Sequence, residues 1–150
     1  MLRIGILGAA GIAPAAIIRP ARRRTDVVIA AVASRRASAA AAYALEHGIE
    51  RSYGDYRALL ADPDIDLVYV ALPPSEHAEW SIAALEAGKD VLCEKPFAMN
   101  ATEAGRMRRV AAETGQRLIE AFHDRYHPLS LETRRHSRLR PAGRARIAAR

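Results

Sequence analysis

Five short apolar runs constrain this chain more than any other feature of its sequence. Arg3 to Leu7, Val27 to Ala33, Leu67 to Leu72, Asp90 to Cys93 and Arg117 to Phe122 are each 4 to 7 residues long. They are apolar almost throughout and lack the strict alternation of a half-exposed strand, which suits strands buried on both faces of a parallel sheet. Helix-like stretches lie between them: Ala37 to His47 stops at Gly48, Ser75 to Ala87 at Gly88, and Thr102 to Thr114 at Gly115. Glycine just past the last turn is the usual left-handed C-terminal cap. Asn100 is placed to cap the third helix, with Glu103 at capping-box spacing, and Asp55 to cap a shorter helix over Tyr56 to Ala61. Strand alternating with helix through short connections predicts βαβ units and an α/β fold with a right-handed parallel sheet.

The 150 residues make the size of one ordinary domain. The longest apolar candidate, Ile4 to Ile18, is broken by Gly8, Gly11 and Pro14 and followed by the basic cluster Arg19 to Arg24. That is too short for a membrane span and wrongly flanked for a secretory signal. The single Cys93 leaves no internal disulfide and fits a reducing, cytoplasmic setting. The net charge of +6 is confined to the end of the chain. Residues 1–120 carry 15 basic and 15 acidic side chains, whereas residues 121–150 carry 8 and 2. A neutral body with a basic tail lacking interleaved aromatics gives no expectation of a nucleic-acid partner. No metal-ligand spacing occurs.

The first strand runs directly into Gly8-Ala9-Ala10-Gly11-Ile12-Ala13 and then an apolar helix. In a dinucleotide-binding turn the first small residue permits the bend, the second lets backbone approach the pyrophosphate, and the third lets the helix pack on the sheet. Those positions read Gly8, Ala10 and Ala13, with N–H groups of the helix start facing the phosphates. A tight strand–helix turn without a ligand is the plainer alternative. After the second strand comes Ser34-Arg35-Arg36, with no acid before Glu46. Asp or Glu at that place holds the ribose hydroxyls of NAD, whereas a hydroxyl followed by guanidinium groups suits the 2′-phosphate of NADP. NADP is therefore favoured and NAD remains open; solvated arginines after a helix cap are the alternative. The fourth run ends in Glu94-Lys95-Pro96, where an α/β fold places its ligands. Lys95 is one of 2 lysines against 21 arginines. A lysine there suits a group that donates to a substrate oxygen or shares its proton, with a surface lysine in a loop as the equal alternative.

Gly8 to Ala13, Ala71-Leu72-Pro73-Pro74-Ser75-Glu76-His77, Gly88 to Pro96 and Glu120 to Pro128 together resemble the Gfo/Idh/MocA oxidoreductases. The similarity is to the branch containing xylose and dihydrodiol dehydrogenases, and it runs from residue 2 to about residue 128. The resemblance implies a doubly wound Rossmann domain binding NAD(P), here residues 1–122, followed by a basic tail over 123–150. It also implies hydride transfer to or from a sugar, inositol or related diol. Carried over, Gly8, Ala10, Gly11 and Ile12 would meet the pyrophosphate, and Ser34 and Arg35 the adenosine ribose. Leu72, Pro73 and His77 would line the ribose and nicotinamide loop, Glu94 and Lys95 the nicotinamide side. Lys95 would touch the reacting oxygen and Arg125 would border the substrate. His77 as an exposed first-turn residue and Arg125 as an ion-pair partner are the plainer readings, and His123 and His127 read as structural. Family members are about twice this length, so most or all of the second domain is expected to be missing. Gly143 to Ile147 faintly resembles that domain's first strand. The expectation is of a chain that holds cofactor without turning over a sugar, and whose uncovered apolar face favours a homo-oligomer.

Overall fold

The computed structural model describes residues 1–139. Gly143 to Ile147 lies outside the described residues. The chain runs β1 (Leu2–Leu7), a π-helical turn (Pro14–Ile18) continuing into α1 (Arg19–Ala21), β2 (Val27–Ala33), α2 (Ala37–Glu46), β3 (Arg51–Tyr53), α3 (Tyr56–Leu60), β4 (Leu67–Val70) and α4 (Pro74–Glu86). It continues through β5 (Asp90–Cys93), α5 (Ala101–Thr114), β6 (Leu118–Glu120), a 3-10 turn (His123–Tyr126) and α6 (Pro128–Leu139). The six strands form one parallel sheet in the order β3-β2-β1-β4-β5-β6, the doubly wound arrangement.

Successive residues of a strand face opposite sides of the sheet, so each apolar run feeds two cores at once. Leu7, Val68, Val70 and Val91 face α3, α4 and α5, packing on Leu59, Leu85 and Met107. Ile4, Ile6, Ile29, Val32 and Tyr69 face the other way, against Ala13, Ile18 and Ala44. Leu59 and Leu85 are completely buried. Each such side chain contributes about 1.5–3 kcal/mol of transfer free energy.

The caps form as their spacing requires. Asp55 Oδ1 accepts the Arg57 N–H at 3.1 Å, and Asn100 Oδ1 accepts the Glu103 N–H at 2.9 Å. Glu103 reaches back to the Met99 N–H at 3.0 Å, one residue before the cap. Gly48, Gly88 and Gly115 all have left-handed φ.

Three differences from expectation have physical causes. The helix after the glycine turn is short and begins with a wide π turn, and Pro20 has no N–H to carry the ladder onward. Strand β3, Arg-Ser-Tyr, has no apolar pattern; polar contacts to Asp62 hold it. Tyr53 donates to Asp62 Oδ2 at 2.8 Å, and Arg51 Nη1 lies 2.8 Å from the same oxygen. The stretch after Pro128, weakly periodic in sequence, is helical, with proline at its first position and no Gly or Pro between Leu129 and Leu139.

Candidate functional site

Sheet register sets the site. Leu7 pairs with Ala33 on one side and Val70 on the other, Val70 with Cys93, and Cys93 with Glu120. The strands therefore end in one row, and the residues that follow emerge together along the carboxyl edge. That row places the glycine turn, Ser34-Arg35, Leu72-Pro73 and Glu94-Lys95 along one edge of the sheet, on either side of the β1–β4 switch point where a doubly wound fold has its ligand crevice.

Gly8 makes the bend out of β1. Its φ is +101°, and a Cβ there would stand 2.6 Å from the Ala71 carbonyl oxygen. Both the backbone conformation and the close approach of the β4 loop exclude a side chain. Ala13, at the third position, is completely buried against the sheet. Gly11 is exposed, and a Cβ added to it would meet nothing within 4 Å. The N–H groups of Gly11 and Ile12 donate to no described acceptor. From α2, Tyr43 braces the turn by donating to the Ala10 carbonyl at 2.9 Å. Burial and the nearby Glu46 carboxylate push that tyrosine hydroxyl up to about 12. The result is a fixed turn with open space and free donors, which fits the pyrophosphate of a dinucleotide.

At the end of β2, the Ser34 N–H donates to Tyr53 O at 3.0 Å, and its hydroxyl accepts the Arg36 N–H at 3.4 Å. The Arg35 side chain is exposed and ion-paired with Glu76, with Nη1 3.5 Å from Oε1. Glu76 comes from the first turn of α4. No acid follows β2 in the sequence before Glu46, and the carboxylate at this end of the crevice comes instead from α4, 41 residues after Arg35.

Beyond β4, Leu72 is half-buried and Pro73 exposed. His77 is neither an exposed first-turn residue nor open to the crevice: it is 1% exposed. Its Nδ1 lies 2.8 Å from Pro96 O and its Nε2 2.8 Å from Leu72 O. A neutral imidazole donates to one of these carbonyls, an imidazolium to both. The ring thus ties the loop after β4 to the loop after β5.

Glu94 is buried beneath the crevice floor. The Tyr69 hydroxyl donates to Oε1, the Lys95 N–H donates to Oε2 at 3.0 Å, and His123 Nε2 stands 3.7 Å from Oε1. Burial first, and then the Glu94 carboxylate, push the Tyr69 hydroxyl far above the ordinary phenol range. Tyr69 was missed in sequence, yet it is the one hydroxyl in an otherwise apolar strand, and a polar atom buried there requires a partner. Lys95 is exposed at the rim. The other lysine, Lys89, is buried and donates to Asp62 O at 2.7 Å, a structural role. Cys93 is completely buried, and burial pushes its thiol up to about 11, which removes nucleophilic character at neutral pH.

Arg125 lies on the 3-10 turn beyond β6, exposed, and borders a hollow of about 440 Å³ with Ile119, Phe122 and Arg134. A second hollow of about 600 Å³ lies between α5 and β6, lined by Phe97, Leu118 and Glu120. Both open on the β6 edge, to one side of the glycine turn. Among the described residues, no group of three or more His, Cys, Asp or Glu could hold a metal ion, and no helix is long and apolar enough to cross a membrane.

A doubly wound parallel sheet with a glycine turn at its switch point is the arrangement of a dinucleotide-binding domain. The chain belongs to the GFO_IDH_MocA family, described as an oxidoreductase family with an NAD-binding Rossmann fold, whose model matches residues 2–122. It is 44% identical over 129 residues to a D-xylose 1-dehydrogenase (NADP(+)) of Haloferax volcanii, covering 86% of this chain and 39% of that protein. It is 41% identical over 107 residues to a trans-1,2-dihydrobenzene-1,2-diol dehydrogenase of Danio rerio, covering 71% and 32%. Among solved structures, a point mutant of a 3-ketoreductase from Actinomadura kijaniata in complex with TDP-benzene and NADP superposes with a TM-score of 0.84 at 36% identity, covering 92% of this chain and 44% of that one. The chain thus spans between 32% and 44% of the length of these relatives.

Proposed function

We propose that residues 1–122 are the cofactor-binding part of an NADP-preferring oxidoreductase acting on the CH–OH group of a sugar, inositol or related diol. The observation that carries this reading is the row of strand ends, which gathers free N–H donors, a guanidinium and a lysine along one crevice. Gly8, Ala10, Gly11 and Ile12 hold the pyrophosphate through backbone. Ser34 and Arg35 hold the adenosine ribose, where Arg35 can grip a 2′-phosphate through two N–H donors. Leu72 and Pro73 border the ribose and nicotinamide, with His77 fixing their loop from beneath. The bound nicotinamide supplies hydride transfer at the carbon bearing the hydroxyl or carbonyl. Lys95 donates to that oxygen and takes or returns its proton. Glu94 acts below Lys95, holding its N–H, and Arg125 borders the substrate. The xylose and dihydrodiol dehydrogenases among the relatives, one named for NADP(+), support both the substrate class and the cofactor. The buried thiol fits a reducing cytosol.

A second reading is favoured by the exposure of Lys95, which stands open at the rim rather than enclosed. On that reading the chain is a dinucleotide-binding module that holds cofactor without turnover. Titration of the 150-residue chain with NADPH and NADH, read by nicotinamide fluorescence or calorimetry, tests the shared premise. Micromolar NADPH binding that weakens at least tenfold in Arg35→Ala is expected. No binding of either cofactor by the folded chain overturns both readings. Reduction of NADP⁺ with added aldoses, inositols or diols then separates them, because the module binds and does not turn over.

A further inference from the structure

The Arg35–Glu76 pair joins the two loops that flank the end of β1. Arg35 follows β2, Glu76 follows β4, and β1 lies between those strands in the sheet. Their 3.5 Å contact therefore spans the adenosine end of the crevice. The two residues are unequal. The Arg35 side chain is 72% exposed, whereas that of Glu76 is 21% exposed and belongs to the first turn of a thirteen-residue helix. Glu76 is the fixed partner and Arg35 the one that can swing. Both act on the buried Tyr56 hydroxyl: burial pushes it up, Glu76 adds to that push, and Arg35 opposes it. The carboxylate, guanidinium and phenol thus form one cluster beside the place where the ribose must lie.

We infer that Glu76 is a specificity-determining residue for the adenosine ribose, competing with a 2′-phosphate for Arg35 and so narrowing the preference for NADP over NAD. This rests on the cofactor reading above. An exposed guanidinium paired with a carboxylate must release it, or share it, before gripping a phosphate. The carboxylate also stands close enough to repel the dianionic group once bound. The same oxygen atoms are acceptors suited to ribose hydroxyls, the role an acid after β2 fills in NAD-binding turns. Glu76 supplies that acid from α4 instead.

Calorimetry with 2′,5′-ADP and 5′-AMP tests this at the adenosine end alone, with no need for nicotinamide or turnover. The wild-type chain, Glu76→Gln, Arg35→Ala and the double variant are compared; Glu76→Ala serves as a second carboxylate deletion. Glu76→Gln should tighten 2′,5′-ADP about fivefold, in keeping with a partly exposed ion pair. It should leave 5′-AMP unchanged or weaker, and tighten 2′,5′-ADP by less than this once Arg35 is alanine, when only the direct repulsion is relieved. If 2′,5′-ADP binding is unchanged or weaker in both Glu76 variants while Arg35→Ala still weakens it tenfold, the inference fails and the cofactor reading stands. If 2′,5′-ADP does not bind the wild-type chain, or binds it independently of Arg35, both fail.

Discussion

The Tyr69 hydroxyl donates to the Glu94 carboxylate across 25 residues of sequence, inside the sheet and directly beneath Lys95. The two groups require one another. Glu94 is 6% exposed and Tyr69 completely buried, so each needs a hydrogen-bond partner within the protein. Because Glu94 also accepts the Lys95 N–H, the pair fixes the backbone from which the lysine side chain rises.

Tyr69→Phe removes the donor and leaves the carboxylate buried. Loss of a hydrogen bond to a charged group, with the acceptor kept, costs about 1.5–3 kcal/mol. Chemical denaturation should show a lower midpoint with an unchanged slope. Wild-type stability in Tyr69→Phe would mean that Glu94 finds another donor.

Gly8→Ala should be worse than an ordinary turn substitution. The methyl group must occupy a left-handed φ and also displace the Ala71 carbonyl, so a loss of about 1–3 kcal/mol is expected. NADPH binding should fall with it. Gly11→Ala is the control, since its Cβ meets open space and should leave stability within about 0.5 kcal/mol. Should Gly11→Ala still weaken NADPH, its role is toward the ligand alone.

Acid should unfold the chain partly through Asp62. Burial alone would raise its carboxyl, but the Asp64 N–H, the Tyr53 hydroxyl, Arg51 and Lys89 outweigh that and hold it below the ordinary carboxylate range. A group whose folded value is depressed stabilises fully above its unfolded value, near pH 4, and loses that contribution as pH falls through the folded value. Stability measured from pH 7 to pH 2 should therefore decline below about pH 4, and Asp62→Asn should flatten that decline while lowering stability at pH 7. An identical acid limb in Asp62→Asn would assign the transition to other carboxylates. Asp90, partly buried and held low by Arg117 despite that burial, is the first to examine.

Much of the fold was legible because it rests on local rules. Apolar runs of 4 to 7 residues mark five of the six strands, and Gly48, Gly88, Gly115, Asp55 and Asn100 mark helix ends through their own backbone preferences. Strand β3 was not legible, because side chains of Arg51 and Tyr53 meeting Asp62, rather than an apolar face, define it. Likewise the glycine turn announces itself by position, but its brace from Tyr43 lies 33 residues away. Glu76 and Arg35 are separated by 41 residues and meet only because β1 sits between their strands. Local spacing finds residues that act through their own backbone. It misses those that act through a partner brought near by the sheet.

The His77 imidazole has a mechanical consequence. Its buried ring lies 2.8 Å from both Leu72 O and Pro96 O, so the loops after β4 and β5 pack on a single side chain, which donates to both carbonyls only as an imidazolium. With the glycine turn braced by Tyr43, the exposed Arg35 side chain is the part of the crevice free to swing as a ligand enters or leaves.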